Sequence, residues 1–161
     1  VHMAGNFTSA GGAPSCYHAR LDTTCAGSVI ASGSGCLGSG GPNLLQTALP
    51  PWVGSTWTGD ATGMPAGGLA LGIFGLQTAS VPLPTILPQG QAGCELLVAP
   101  DLLQLLGPVA GAARSSLTIP NDGMLLGFTL HHQVAGVALA AGGGLGAVTS
   151  TNRLTLTLGT F

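Results

Sequence analysis

Serine and histidine are the residue types in this 161-residue chain that could carry hydrolytic chemistry. A serine hydrolase places a serine nucleophile beside a histidine base, which a carboxylate orients. The chain has many serines, and His18, His131 and His132 are candidate bases. No serine lies in the G-x-S-x-G pattern of a nucleophile elbow, however. The sequence therefore predicts no catalytic residue, with a small extracellular hydrolase as an alternative.

The acidic residues are a second source of possible catalysis, because most glycosidases work with two carboxylates that flank the bond they cleave. Each acidic residue also has a structural interpretation. Asp101 precedes an apolar run as a helix cap would, and Asp122 lies in the turn sequence PNDG. Asp22 and Asp60 fit loops, and Glu95 fits the outward side of a strand. The sequence favours structural roles for all of them.

Two adjacent histidines, His131 and His132, suggest a metal site. Metal ligands must converge on one ion, but neighbouring side chains on a strand point to opposite faces. We therefore predict no metal site. One histidine is expected to face the core or an interface and the other to face solvent. No cofactor is predicted either.

The segment GSGCLGSGG, residues 33–41, contains G-x-G-x-x-G, the pattern that binds a dinucleotide pyrophosphate in other folds. That function requires a helix directly after the glycines. Gly40, Gly41 and Pro42 follow instead, and no amphipathic helical pattern comes after them. The sequence therefore predicts a turn around a disulfide-bonded Cys36, in which glycine permits left-handed backbone conformations.

Trp52 and Trp57 are the candidate ligand-binding residues. They are five positions apart, so a regular strand would place them on opposite faces unless Gly54 forms a bulge. An exposed tryptophan can stack on a sugar ring or lie on an apolar polymer. We therefore expect one of the two rings to face a polysaccharide, a polyester or another surface polymer.

Composition excludes several partner classes. The only cationic residues are Arg20, Arg114 and Arg153, too few to follow a phosphate backbone, so nucleic acid is not an expected partner. With 45% hydrophobic and 5% charged residues, the chain is not expected to be disordered. Its best apolar window, residues 134–148, is shorter than a membrane-spanning helix and contains five glycines, so no membrane span is predicted.

Four cysteines, Cys16, Cys25, Cys36 and Cys94, indicate the compartment. None forms a C-x-x-C pair, so disulfides are favoured over zinc or redox chemistry. Four cysteines allow three connectivities. The short loop favours Cys16–Cys25, which leaves Cys36–Cys94 as a long-range bridge. Because disulfides persist in oxidising compartments, we expect an extracellular location, secreted or on the cell surface.

Alternating apolar and polar residues predict strands over most of the chain. Residues 153–159 place Leu154, Leu156 and Leu158 on one face. Residues 113–119 alternate in the same way, with Ser115 on the inward face. We expect about eight strands in all, separated by Gly, Pro, Asn and Ser. This pattern is typical of an all-β fold, and it predicts an antiparallel, jelly-roll-like β-sandwich that is cross-linked by disulfides.

The length fits one domain over residues 1–161. The secondary structure of two segments is ambiguous. Residues 99–107 fit either a short helix or a buried strand, and a helical turn could start at Pro42. Residues 1–3 look like a remnant of cloning, so we expect a longer natural precursor. Residues 4–32 are expected to form an N-terminal extension that holds the short disulfide loop.

Five motifs follow one another between residues 33 and 159. They are the turn GSGCLGSGG, the strand GLALGIFGL, the segment PLPTILPQGQAGCELL, the turn IPN with a later Q, and the closing strand STNRLTLTLG. This succession resembles an accessory domain that recurs, often C-terminally, in large secreted proteins of environmental bacteria. The resemblance implies an extracellular β-sandwich module over residues 33–159, with Cys36 and Cys94 as its bridge and no catalytic residues. The Cys16 to Cys25 loop and the His131–His132 pair depart from the pattern.

Together these observations predict a secreted, non-catalytic accessory module that binds to, or is displayed on, an extracellular polymer or surface. One alternative is a structural subunit of an extracellular fibre. It is suggested by the strands of residues 136–148, which are rich in Ala and Gly and could self-associate at a sheet edge.

Overall fold

The computed structural model describes residues 27–160 in full, and four short strands before them by their backbone alone. These four are β1 (His2–Ala4), β2 (Ser9–Ala10), β3 (Ala13–Pro14) and β4 (His18–Arg20). β1 pairs with β4 and β2 with β3, both antiparallel. The predicted Cys16–Cys25 bridge lies outside the described residues.

Strands are the main regular elements in the rest of the described chain. They are β5 (Ser28–Ser32), β6 (Leu37–Gly38), β7 (Gly41–Pro42), β8 (Leu44–Gln46), β9 (Thr56–Thr62), β10 (Leu69–Gly75), β11 (Thr78–Pro82), β12 (Glu95–Val98), β13 (Leu102–Leu106), β14 (Ala112–Thr118), β15 (Thr129–Leu139), β16 (Leu145–Ser150) and β17 (Arg153–Thr157). One short helix, α1 (Leu83–Ile86), and one 3₁₀ turn (Gly123–Leu125) interrupt them. No helix in the described residues is long and apolar enough to cross a membrane.

The larger sheet has six strands and is built around β15. Its order is β13-β10-β15-β17-β5, and β16 also pairs with β15. One edge of β15 pairs with β10, while the other edge pairs first with β17 and then with β16. The chain passes from β16 to β17 through Thr151 and Asn152, and Thr151 forms hydrogen bonds with Gln133 and Val134. The register shifts by one residue there, so this junction is a bulge.

The smaller sheet has three strands in the order β14-β9-β8, all antiparallel. Every second residue of β14 and β9 faces inward, because one face of this sheet covers the core and the other faces solvent. Ala113 and Ser115 are buried on β14, and Trp57 and Ala61 are buried on β9. The alternation predicted for residues 113–119 is confirmed.

The core lies between the two sheets. The buried face of β17 contributes the predicted leucine row, which is confirmed. The larger side chains of this core are Leu45, Trp57, Met64, Phe74, Leu106, Ile119, Leu130, Val134, Leu154, Leu156 and Leu158. The fold is therefore all-β and antiparallel, with two sheets packed face to face.

A third layer covers part of the outer face of the six-stranded sheet. β11 and β12 pair as a two-stranded ribbon, and α1 follows β11 directly. Leu83 of α1 is buried in a small cluster with Val137 and Val148, and Val98 of β12 packs with Ile73. This layer makes the centre of the large sheet apolar on both faces.

The ambiguous segments are strands. Residues 102–106 form the edge strand β13, and the Oδ2 atom of Asp101 accepts a hydrogen bond from the backbone N–H of Leu76 at 2.8 Å, so the expected helix cap is wrong. The helical turn suggested at Pro42 is also absent, because Pro42 ends β7. The two main sheets contain nine strands, close to the predicted number of about eight.

Candidate functional site

Ser115 and His132, two residue types of a hydrolase, meet in the core between the sheets. The Oγ atom of Ser115 lies 2.7 Å from Nε2 of His132, and Nδ1 of His132 lies 3.0 Å from the carbonyl oxygen of Ile73. A carbonyl only accepts, so Nδ1 carries the proton and Nε2 accepts from the serine hydroxyl. The carbonyl oxygen of Gly59 lies 3.2 Å from the same Oγ.

Aromatic rings enclose the imidazole. Phe74 stacks on His132 with ring centroids 4.0 Å apart, and Trp57 meets it edge-on at 5.5 Å. Burial lowers the pKa of His132 to about 4, although its hydrogen bond to Ile73 acts in the opposite direction. The imidazole is therefore neutral at physiological pH. Gly59 is required here, because a Cβ at that position would lie 2.7 Å from the Trp57 ring.

The Ser115–His132 pair joins the two sheets in this conformation. Both residues are 0% exposed, so a substrate carbonyl does not reach the serine oxygen. The position that a carboxylate takes in a serine hydrolase is filled by the backbone carbonyl of Ile73. What the geometry offers is a buried hydrogen-bonded link across the core.

Three carboxylates of the described residues, those of Asp60, Asp101 and Asp122, make structural contacts. Asp60 and Arg114 form a surface ion pair, with 2.7 Å between Oδ1 and Nε. The pKa of Arg114 is raised by its hydrogen bond and charge interaction with Asp60. Asp122 accepts a bond from the backbone N–H of Met124, so its predicted turn role is confirmed. Asp22 lies outside the described residues.

His131 points to the opposite face from its neighbour, as alternation predicts. Its Nδ1 atom lies 3.0 Å from Oγ1 of Thr155, and it is partly buried. Burial and the nearby charge of Arg153 both lower the pKa of His131. Among the described residues, no group of three His, Cys, Asp or Glu is placed to hold a metal ion.

The two tryptophans do not share a strand, so the alternation argument for them is wrong. Trp52 precedes a turn in which Gly54 has a φ of 76°, and β9 begins only at Thr56. Trp57 is 2% exposed and belongs to the core, where no external polymer reaches it. Trp52 is partly buried and interacts with its surroundings. Of this pair, only Trp52 presents surface.

The glycine-rich segment is a turn held by a disulfide, and the bridge between Cys36 and Cys94 is confirmed. A Cβ at Gly35 would overlap the carbonyl oxygen of Asn43, so the close approach of the two chains requires glycine there. Gly33 has a φ of 72°. Short strands follow this turn rather than a helix, so the geometry for a pyrophosphate is absent from this described segment.

The glutamine and asparagine of the sequence motifs are buried connectors. Gln133 accepts from the backbone N–H of Leu97 and donates to the carbonyl oxygens of Glu95 and Thr151, all within 2.9 Å. Asn152 bonds to both the N–H and the carbonyl of one residue, Leu45. These motif residues therefore join layers of the fold.

An apolar surface, which we call the leucine face, lies on the outer side of β10 and β13. In the strand register Leu71 pairs with Leu105 and Ile73 with Leu103, so the four side chains form adjacent pairs on one face. Leu103 is 56% exposed and Leu105 is 69% exposed. The sequence does not predict this face, because residues 99–107 fit either a short helix or a buried strand.

Next to the leucine face is a cavity of about 340 Å³, which we call the apolar pocket. Its floor is the outer face of the large sheet, and its roof is α1 with the residue that follows. The floor includes Leu71, Ala135 and Val137. The roof includes Leu83, Ile86 and Leu87. A second, more open groove of about 470 Å³ runs between β5 and β8.

Comparison with known proteins adds no relatives: no family model, no curated protein and no solved structure matches this chain.

Proposed function

We propose that this chain is a secreted, non-catalytic accessory module that attaches its parent protein to an extracellular apolar polymer. The leucine face is the observation that carries the proposal. Two leucines more than half exposed, side by side on an edge strand, are an apolar patch of the kind that marks interaction sites. The Cys36–Cys94 disulfide supports an oxidising, extracellular location.

An aliphatic polyester fits this face better than a polysaccharide. Sugar rings are bound by flat aromatic rings together with hydrogen-bonding groups, and the leucine face offers neither of these. Trp57, one of the two tryptophans considered for sugar stacking, is in the core. Methylene groups, by contrast, gain from contact with leucine alone, through the area they remove from water. The proposed partner is therefore a neutral polymer rich in methylene groups.

Retention on films tests the proposal. The double variant L103S/L105S should bind an aliphatic polyester film at least about tenfold more weakly than the wild type, because two exposed anchors are lost. The variant L37S/L49S is the matched control, since these leucines are similarly exposed but lie outside the leucine face. Cellulose serves as the polysaccharide film.

Three results would contradict the proposal. One is equal retention by the two double variants. Another is stronger retention on cellulose than on polyester. The third is a loss of binding in Trp52→Ala as large as that in L103S/L105S, since this would show that Trp52 contributes as much to binding as the leucine face.

Self-association is a second candidate function, favoured by the position of β13 at the edge of the large sheet. An exposed, apolar edge strand is a template for pairing with another chain. The Ala- and Gly-rich strands expected to do this, β15 and β16, pair with each other instead. A size that increases with concentration in light scattering, and that L103S/L105S abolishes, would support assembly as the function.

A further inference from the structure

We infer that the apolar pocket beneath α1 binds a neutral aliphatic chain, such as a methylene segment of an ester. The inference rests on the proposed function and gives it a ligand class and a second contact, which adjoins the exposed leucines of the leucine face, Leu103 and Leu105. It concerns chain insertion between two layers rather than adsorption on a surface.

The volume of the pocket suits a short chain. A cavity of about 150 Å³ lined by Leu, Ile and Phe binds benzene in another protein. This pocket has about 340 Å³, roughly twice that space. Its roof is thin, because α1 is only four residues long, and Ile86 and Leu87 remain partly exposed there. A ligand can therefore enter without unfolding either sheet.

Gln133 and Ser150 line the pocket, but it exposes no polar atom to a ligand. All the bonding atoms of the Gln133 side chain are engaged by Leu97, Glu95 and Thr151. The hydroxyl of Ser150 donates to the carbonyl of Glu95 at 2.9 Å. A ligand group that needs hydrogen bonds would lose those it makes with water and find none here. The inserted part of the ligand must therefore be hydrocarbon.

The charge of the pocket excludes an ionised ligand. No lining residue is charged, so a buried carboxylate would meet no cation. The mouth is also apolar, since Ile86 and Leu145 are both about half exposed beside it. Binding sites for compact ligands usually carry a few placed polar groups. An apolar mouth instead fits a chain that continues from the pocket along the surface.

Titration with a soluble ester separates this inference from film binding. The probe is methyl octanoate, with octanoate ion and a cello-oligosaccharide as comparison ligands, and binding is followed by calorimetry and by methyl NMR. We expect saturable binding of the ester, at least tenfold weaker binding of the ion at pH 8, and no binding of the sugar. The methyl signals of Val137 and Ile86 should shift, while those of Leu44 and Leu49, in the open groove, should not.

Two variants locate the site. Ala135→Phe fills the floor of the pocket and should weaken ester binding at least tenfold. Ala31→Phe makes the same change beside the groove between β5 and β8 and should leave ester binding unchanged. Should Ala135→Phe fail to fold, the shifted methyl groups of the wild type decide the question by themselves.

The inference and the proposed function fail differently. Ester binding by a protein that does not adhere to polyester film would support the pocket and refute the proposed function. Film retention without saturable ester binding would refute the pocket. Methyl shifts confined to Leu103 and Leu105 or to the open groove would refute it as well.

Discussion

At the scale of single residues, the core carries a polar link that is stable only while the histidine is neutral. Ordinary histidine has a pKa of about 6.5, and burial holds that of His132 near 4. Between these values the unfolded chain binds a proton that the folded chain does not. The unfolding free energy is therefore complete above pH 6.5 and falls as the pH drops toward 4.

The first prediction is that about 3 kcal/mol of unfolding free energy is lost between pH 7 and pH 4 through His132. Urea denaturation at a series of pH values measures this loss. Most of this slope should disappear in His132→Phe, which cannot titrate, and persist in His131→Phe, since His131 is only partly buried. The same pH slope in His132→Phe as in the wild type would show that another group is responsible.

The second prediction concerns Ser115→Ala. This change removes the hydroxyl that bonds to Nε2 of His132 and leaves that buried nitrogen without its partner. The expected loss is about 1 to 3 kcal/mol of unfolding free energy. Ser116→Ala on the outward side of the same strand is the matched control and should change little. Equal effects of the two changes in thermal or urea unfolding would contradict the role assigned to the link.

At the scale of elements, the bulge between β16 and β17 is where the layers are joined. The third prediction is that Gln133→Met costs about 2 kcal/mol or more, because two buried backbone groups, the N–H of Leu97 and the carbonyl of Thr151, lose the partner that Gln133 provides. Gln104→Met is the control, because the hydrogen bond of Gln104 to the Ser116 N–H is exposed. Calorimetric unfolding of both variants tests this, and a cost for Gln133→Met no greater than that of the control would contradict it.

The Cys36–Cys94 bridge is the other long-range connection between elements. It joins residues 58 apart in sequence, and the loss of chain entropy in the unfolded state corresponds to about 4 kcal/mol. The fourth prediction is that the unfolding free energy of C36A/C94A is lower than that of the wild type by about this amount. The double variant is a better test than reductant, which would also act on any other disulfide. An unchanged melting temperature would show that the bridge contributes nothing to stability.

The elements that the sequence predicted well are strands with one face toward the core and the other toward solvent. β14 and β17 alternate because one side of each strand meets the core and the other does not. β13 could not be assigned in this way, because LLQLL has no alternation and its state is decided by pairing with β10, which is distant in sequence. Sequence also placed Ser115 inward, but which histidine it meets depends on how the two sheets are aligned.

At the scale of the whole molecule, very low charge combines with an exposed apolar edge. The net charge is −2, and the isoelectric point is about 6.0, so electrostatic repulsion between molecules is weak. Natural sheets protect their edges with charged residues, lysine above all. This chain has no lysine, and β13 presents Leu103 and Leu105 at the edge. We therefore expect association at β13 to limit its solubility.

The fifth prediction is that L103K/L105K is more soluble than the wild type at pH 7. Two added lysines cancel the net charge of −2, which by itself would lower solubility. A gain must therefore come from blocking the edge strand. The variant L37K/L49K makes the same change in net charge away from β13 and should be no more soluble than the wild type. Light scattering against concentration measures both, and a greater gain in L37K/L49K would place the association outside the leucine face.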